Sequence, residues 1–283
     1  MTGVRRLPWL ALVLGLMLLT PACGGYGSVS STSRSVEQAE AQTVWTEFRL
    51  RTGTLNLSGG ATRLMDARFT ANQQLQPDIE YDTKNGQGWL HVKQPDVHHA
   101  VNFSKMRNAW DVRLSNSVPL DINTSNASGD TALDLTGLQV THAGITAKSG
   151  DVVLTVGGEQ PFLAALDVDS SSGRVRLDLG ASFAHLTSLK VDSLAGDVTL
   201  DLSGQWRDHL NGEIHASSGT VTVRVPKSTP AVIHAGVTSG KVKADGFKSD
   251  NGSYTTAANA KAATVITLDV TVNAGQIVLE QVG

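Results

Sequence analysis

Aspartates recur at two fixed positions after a series of small-residue–glycine pairs. One set follows the glycine directly (Asp130, Asp151, Asp197), and the other comes five residues after it (Asp134, Asp178, Asp201, Asp245). Stacked carboxylates could bind Ca²⁺, but the solenoids that do so repeat every nine residues, whereas these glycines recur about every 23. Acids on a strand surface also keep the strand soluble and deter edge-to-edge pairing, and we favour that interpretation.

Arginines would approach these acids if successive repeats stack in register, an arrangement used by enzymes that act on polysaccharides. The residues concerned are Arg174, Arg176 and Arg224, with Asp178 and Asp201. Surface ion pairs explain the same pattern more simply. The sequence contains no G-x-S-x-G, Walker-loop or H-E-x-x-H motif. We therefore predict no catalytic residue and no enzymatic activity.

The histidines and tryptophans are the remaining candidates for chemistry. The eight histidines include the pair His98-His99, but none has the spacing of a zinc site, so we predict no metal and no cofactor. His142, His215 and His234 precede glycines at different offsets and should form no column. Four tryptophans could stack on sugars if exposed, but core or capping roles are favoured because three of them lie near the N-terminus: Trp45, Trp89, Trp110 and Trp206.

The N-terminus has the pattern of an export signal. Arg5 and Arg6 precede the apolar run "LPWLALVLGLMLLT", which is too short to span a bilayer as a helix. Residues 1–22 are therefore predicted to be a signal peptide. "LTPAC" resembles the bacterial lipobox, in which the cysteine is lipidated, and Cys23 is the only cysteine. An ordinary signal peptidase could also cut after "TPA" and leave Cys23 unmodified.

Residues 23–43 are rich in Ser and Gly and show no apolar periodicity. This composition predicts a flexible tether with a reach of about 25 Å between the membrane and the first domain. The net charge of the chain is −3, and no run of like charges is present, which argues against a nucleic-acid partner.

The glycines that precede the aspartates mark a repeat. The pairs are Ser128-Gly129, Ser149-Gly150, Ser172-Gly173, Ala195-Gly196, Ser218-Gly219, Ser239-Gly240 and Ala274-Gly275. Residues two, four and six places after each glycine are apolar in 18 of 21 cases, whereas the fifth is always polar. This alternation predicts a strand after each corner glycine, and a second apolar-polar run predicts another strand before it. Each repeat is thus either one coil of a β-solenoid or one unit of a racked sandwich.

The flanks of the array are less regular. Gly53 and Gly88 begin degenerate copies of the repeat, and strands are expected near residues 65–69 and 79–81. The sequence thus predicts an N-terminal β domain over 44–122 and a β-repeat array over 123–283. "SDNGS" reads as a hairpin turn within a C-terminal cap, since the end repeats of an array are usually atypical.

Taken together, these segments resemble the bacterial toast-rack family of envelope proteins. The motifs that carry the resemblance are "GTLNLSGGATRLMDARFTAN", "PDIEYDTKNGQGWLHVKQP", "NAWDVRLSNSVPLDI", the repeated "SGDVxLDLSG" and "GFKSDNGSYTT…ITLDVTVNAGQIVLE". The ending is similar to the C-terminal domain of cell-wall-active-antibiotics response proteins, but those carry transmembrane helices that this sequence lacks. The resemblance implies an all-β repeat protein of the envelope, adhesin-like and without an established active site.

These observations predict an all-β, toast-rack solenoid that is exported and anchored to the membrane by a lipid on Cys23. Its expected work is non-enzymatic binding or scaffolding, with an envelope glycan or a surface protein as partner. The alternative is a regulator that restrains a membrane signalling partner during cell-wall stress. A polysaccharide-acting enzyme is the third and least favoured reading. The sequence does not specify the oligomeric state.

Overall fold

The computed structural model describes residues 27–96, 106–258 and 266–283. Among these residues the helical structure is a single 3-10 turn, Gln73–Leu75, and about two thirds of the residues are in strands. The strands are β1 (Val29–Val36), β2 (Thr43–Leu50), β3 (Thr54–Ala61), β4 (Met65–Asn72), β5 (Asp78–Lys84), β6 (Gln87–Lys93), β7 (Asn108–Ser115), β8 (Leu120–Asn126), β9 (Thr131–Asp134), β10 (Val140–Ala147), β11 (Val152–Val156), β12 (Glu159–Gln160), β13 (Ala165–Ser170), β14 (Val175–Leu179), β15 (Ser182–Phe183), β16 (Ser188–Ser193), β17 (Val198–Asp201), β18 (Gln205–Trp206), β19 (Leu210–Pro226), β20 (Ala231–Asp245), β21 (Lys248–Asp250), β22 (Ser253–Thr255) and β23 (Ile266–Val282).

The strands form two long ladders, which we call the A ladder and the B ladder, and one short C ladder. The A ladder runs β5, β6, β2, β8, β10, β13, β16, then the first halves of β19, β23 and β20, and ends in β22 and β21. The B ladder runs β1, β4, β7, β3, β9, β11, β14, β17, then the second halves of β19, β23 and β20. The C ladder contains β12, β15 and β18.

Each repeat is one coil of a β-solenoid. In the middle of the array, neighbouring repeats pair in parallel in both the A and the B ladder, and the chain returns through the C ladder before the next coil begins. Antiparallel strands close the two ends, β1, β4 and β5 at one and β21 and β22 at the other. The structure thus confirms the all-β repeat fold and selects the solenoid over the racked sandwich.

The corner between the A and B ladders requires glycine because the coils touch there through their backbones. Gly173 has φ +114°, and a Cβ on it would lie 2.1 Å from the carbonyl oxygen of Gly150. The other corner glycines stack in the same way, from Gly53 at one end of the column to Gly240 at the other. A side chain at any of these corners would meet the main chain of the neighbouring coil.

The apolar positions of the repeat form continuous columns in the interior. The residues two places after each corner glycine pair in register as Thr131, Val152, Val175, Val198, Val221, Ile277 and Val242. The leucine at the fourth place, represented by Leu200, is completely buried in the middle of the array. One hydrophobic core continues from Ala41 to Leu279, so the coils share a single interior.

The prediction of a flexible tether over 23–43 is wrong from Val29 onward. Val29–Val36 forms β1, which pairs antiparallel with all of β4, and β2 begins at Thr43. The side chains of β1 are mostly exposed, and those of Ser31 and Ser35 form hydrogen bonds with residues of β4. An edge strand of this kind is stabilised by its backbone hydrogen bonds and therefore needs no apolar face.

The N-terminal block continues the same solenoid, although its strands are out of sequence order. Gly53 is a true corner and stacks under Gly129. Gly88 is not a corner, because it lies buried inside β6 in the A ladder and packs against Tyr81. The boundary predicted between residues 122 and 123 falls within β8, and the core continues across it.

The last strand of the chain is inside the array and is not its end. β23 pairs in parallel with β19 on one side and with β20 on the other, so β20 is the outermost coil although it comes earlier in the sequence. The predicted hairpin turn is present between β21 and β22, with Asn251 and Gly252 both at positive φ. This hairpin packs on β20, and the C-terminal residues expected to cap the array are next to last in space.

Candidate functional site

Two tryptophans lie side by side on the outer surface of the A ladder. Trp45 of β2 and Trp89 of β6 are register partners, and each alternates with buried residues, so both rings point outward. The Trp45 ring also contacts the imidazole of His91, with ring centroids 5.1 Å apart. Both tryptophans are only half-buried. Large apolar rings that stay partly exposed on a strand surface are typical of binding sites.

A groove of about 820 Å³ runs over this pair, and we call it the tryptophan groove. Its lining includes Trp45, Trp89, His91, Asp121 and Thr141. These side chains come from four neighbouring strands of the A ladder, and the two rings form much of its wall. A concave apolar surface with a few polar groups is the usual form of a ligand site.

A second groove of about 410 Å³ begins on the other side of Trp45, and we call it the acidic groove. Its lining continues along the A ladder from β2 to β16 and includes Glu47, Asn123, Asp167, Asp169, Lys190 and Asp192. Lys190 lies 3.2 Å from Asp192. The two grooves adjoin at Trp45, with the aromatic rings on one side of it and the carboxylates on the other.

A histidine held between two carboxylates lies beside both grooves. His142 Nδ1 is 3.0 Å from Asp121 Oδ1, and His142 Nε2 is 3.0 Å from Asp167 Oδ2. Burial lowers the pKa of His142, but the hydrogen bonds to Asp121 and Asp167 outweigh it, and the net shift is upward from 6.5. Only the protonated imidazole donates to both carboxylates at once.

The upward shift in the pKa of His142 predicts that the protein is more stable in mild acid than in mild base. The contribution is complete below pH 6.5 and is lost as the pH rises through the higher pKa of the folded state. It should amount to about 0.5–1 kcal/mol, because the side chains are partly exposed. Denaturant unfolding between pH 5.5 and 8.5 measures it, and His142→Gln should flatten the profile.

The matched control for this measurement is His185→Gln. His185 is an exposed histidine that lies 3.0 Å from Asp208 on a different side of the coil. If the free energy of unfolding keeps its pH dependence in His142→Gln and loses it in His185→Gln, the hydrogen bonds of His142 to Asp121 and Asp167 are not the cause of that dependence.

The aspartates that follow the corner glycines connect neighbouring coils. Asp130 Oδ1 accepts the backbone N–H of Asp151 at 2.9 Å, and Asp151 Oδ1 accepts that of Arg174 at 2.9 Å. Asp197 accepts the N–H of Thr220 in the same way. These carboxylates therefore satisfy corner amides of the next coil, a role that neither the calcium nor the solubility interpretation included.

Two of the four aspartates in the second set cap their own turn. Asp134 and Asp201 each accept the backbone N–H two residues later, at 3.0 Å. In the described ranges, no cluster of three or more His, Cys, Asp or Glu side chains has the geometry to hold a metal ion.

The arginines named as candidates for polysaccharide chemistry do not converge on one centre. Arg174 pairs with Asp151 at 2.6 Å, and Arg176 pairs with Asp178 on its own strand at 2.8 Å. Arg224 pairs with Glu280 of β23. Asp201 instead accepts its backbone bond from Ser203. These contacts are separate surface ion pairs that contribute little each.

The other candidate side chains have different environments. Trp110 is completely buried edge-to-face against Phe69, and Trp206 stacks on Phe183 with centroids 4.6 Å apart. The core and capping roles favoured from the sequence fit these two but not Trp45 or Trp89. His142, His215 and His234 lie in three different columns of the A ladder, whereas Cys23, His98 and His99 lie outside the described residues.

The fold defines a class of protein, the β-solenoid, and two grooves lie along the outer face of its A ladder. The described ranges hold no helix with the length and apolar character to cross a bilayer. The sequence matches the family profile described as the N-terminal domain of toast_rack, DUF2154, over residues 26–163 and 160–224. Because these matches cover more than half of the sequence, the chain belongs to the toast-rack family.

The chain is also similar to several solved structures. The chain is similar to a "putative cell adhesion protein" from Clostridium sporogenes, with 22% identity, TM-score 0.50, and coverage of 90% of this chain and 100% of that one. A "putative adhesin" from Bacteroides fragilis matches at 10% identity, TM-score 0.36 and coverage of 89% and 97%. A "putative lipid binding protein" from Parabacteroides distasonis matches at 12% identity, TM-score 0.40 and coverage of 90% and 98%. No curated protein matches the sequence. The likeness to the clostridial protein shows a shared fold.

Proposed function

We propose that this chain is a non-enzymatic, adhesin-like binding protein of the cell envelope that holds surface material in the tryptophan groove. The observation that carries the proposal is the pair of half-buried tryptophans, Trp45 and Trp89, on one outer face. Two adjacent indoles that are partly exposed form a larger apolar patch than a single surface residue, and contiguous patches of this kind mark interaction sites. The family membership and the adhesion role named for the clostridial structure are consistent with it.

The proposal includes export by residues 1–22 and a lipid anchor on Cys23. The export signal and the "LTPAC" motif support both. β1 begins at Val29, so six residue steps separate Cys23 from the first strand, about 20 Å when fully extended. A lipid at Cys23 would therefore hold the β1 end of the solenoid close to the membrane surface.

Replacing the anchor residue tests the location. Cys23→Ala is expected to move the protein from the membrane fraction to the soluble fraction, because a lipidated chain loses its acyl groups with the cysteine. Fractionation after metabolic labelling with a fatty acid measures both changes. A wild-type protein that carries no label, or a variant that stays in the membrane fraction, contradicts the anchor without affecting the groove.

The binding role is tested by retention on isolated cell envelopes. Trp45→Ala combined with Trp89→Ala is expected to lower the retained fraction at least tenfold, since the variant loses both rings of the groove. Phe162→Ala is the matched control, because Phe162 is an exposed aromatic residue away from the A ladder. Equal retention of the double variant and the wild type would show that the groove is not the binding site.

A further inference from the structure

We propose that the tryptophan and acidic grooves form one trough that binds an extended glycan of neutral or amino sugars. This inference rests on the proposed function, since it names the ligand class of the same surface. It goes further by specifying the length of the ligand, the place where its sugar rings stack and its charge. Each of these follows from a different property of the A ladder.

The length follows from the strand order. The lining of the two grooves comes from β6, β2, β8, β10, β13 and β16, which are consecutive neighbours in the A ladder. Five spacings of about 4.8 Å make a trough of about 24 Å along the solenoid axis. Trp45 lines both grooves, so the two grooves adjoin at that residue. Such a shape suits a chain molecule better than a compact one.

The place where the sugar rings stack follows from the position of the two indoles. A pyranose ring has a face of C–H groups that packs on an indole, and its edge carries hydroxyls that need hydrogen-bond partners. Trp45 and Trp89 supply two adjacent indoles at one end of the trough. Rigid aromatic rings provide this contact at a small cost in conformational entropy.

Hydrogen-bonding groups continue beyond the rings. Asn123 donates through Nδ2 to Asp121 Oδ1 at 2.7 Å and lines the acidic groove. Thr146 and Asp169 add an exposed hydroxyl and an exposed carboxylate further along. These groups are spaced like the coils, so they can meet successive sugar hydroxyls of one chain.

The charge of the trough sets which glycans fit. Glu47 is neutralised by Arg49 at 2.6 Å, and Asp192 is paired with Lys190. Asp121, Asp167 and Asp169 then remain, and the protonated His142 between the first two offsets one of these three charges. Lys93 lies 3.6 Å from Glu47 and also faces that end of the trough. The remaining negative potential repels uronic-acid or phosphate-bearing polymers and favours sugars with free amino groups.

Binding of three oligosaccharides of equal length tests this inference on the full chain. The probes are a pentamer of N-acetylglucosamine, its de-N-acetylated form, and a pentamer of galacturonic acid. Calorimetric titration should show binding of the first, at least threefold tighter binding of the second at low salt, and none of the third. A dimer of N-acetylglucosamine should bind at least tenfold more weakly than the pentamer, because it covers only part of the trough.

Variants separate the two parts of the trough. Trp45→Ala and Trp89→Ala should each weaken all productive binding at least tenfold, whereas Phe162→Ala should not change it. Asp167→Asn with Asp169→Asn should abolish the preference for the amino-sugar pentamer, so that the ratio of its affinity to that of the N-acetylated pentamer falls to about one. Thermal unfolding of each variant shows whether the fold is intact.

Two outcomes would overturn the inference. One is preferential binding of the galacturonic acid pentamer, and the other is the absence of binding by all three probes at millimolar concentration. If envelope retention still depends on Trp45 and Trp89 in the second case, the glycan class is wrong and the proposed function stands. If retention is also independent of both tryptophans, the proposed function fails as well.

Discussion

A chain that ends at residue 258, and so lacks β23, is expected to lose cooperative folding. The strand buries six large apolar side chains completely or nearly so: Ile266, Leu268, Val270, Val272, Ile277 and Leu279. Each contributes about 1.5–3 kcal/mol by burial. Their combined loss is comparable to the whole stability of a typical domain, about 5–15 kcal/mol. Circular dichroism during denaturant unfolding should show no cooperative transition.

The position of β23 makes this effect larger than the loss of an end strand. Its removal leaves facing edges on β19 and β20, both of which carry unpaired backbone groups, so the truncated chain should also aggregate. Removal of Gly283 alone is the control, because this residue lies beyond the strand and is exposed. A truncated chain that unfolds at the wild-type midpoint would mean that β23 does not hold the array together.

Gly173→Ala is expected to lower the free energy of unfolding by about 2–6 kcal/mol, which combines backbone strain at φ +114° with a steric overlap. The new Cβ would lie 2.1 Å from the carbonyl oxygen of Gly150. This oxygen belongs to the backbone of the next coil and cannot move without disturbing the stack. The midpoint of denaturant unfolding measures the effect.

Two glycines allow the strain and the overlap to be separated. Gly60 has φ +95° and no atom within 4 Å of the position that an added Cβ would take, so Gly60→Ala should show the strain alone. Gly236 has neither positive φ nor a close neighbour, and Gly236→Ala should be neutral or slightly stabilising. If all three substitutions lower the free energy of unfolding by the same amount, the contact between stacked corners is not the reason that glycine is required at Gly173.

The regular part of the fold was predictable because the repeat encodes both faces of its strands locally. The corner glycine fixes where the chain turns, and the apolar residues two and four places later, such as Val198 and Leu200, are completely buried in the structure. Equal patterns in neighbouring copies then pair in register. Once the coils have formed, a periodic sequence of this kind places equivalent residues of neighbouring coils in register.

The order of the coils was not predictable, because the same pattern suits several neighbours. β2 and β3 come first among the parallel coils in the sequence, yet they lie between the strands β6 and β7 on one side and β8 and β9 on the other. Gly88 was wrongly predicted to begin a repeat, because the residues after it have the apolar spacing that follows a corner, but it lies inside β6. The spacing of apolar residues specifies a face and not a partner.

The candidate site was only partly visible in the sequence for the same reason. Trp45 and Trp89 are 44 residues apart, and only the insertion of β2 beside β6 makes them neighbours. Asp121 and His142 are 21 residues apart, the period of the repeat at that point. Alignment of the strands before the corner could have paired these two, whereas no local signal could have paired the tryptophans.

The position of β23 also determines when the array can be completed during synthesis, because every chain leaves the ribosome N-terminus first. When residue 258 has emerged, β20 is already outside, but its neighbour β23 is still inside the exit tunnel. β20 must either remain without this partner or pair temporarily with β19 and be displaced later. The last two coils therefore form only after the C-terminus is released from the ribosome.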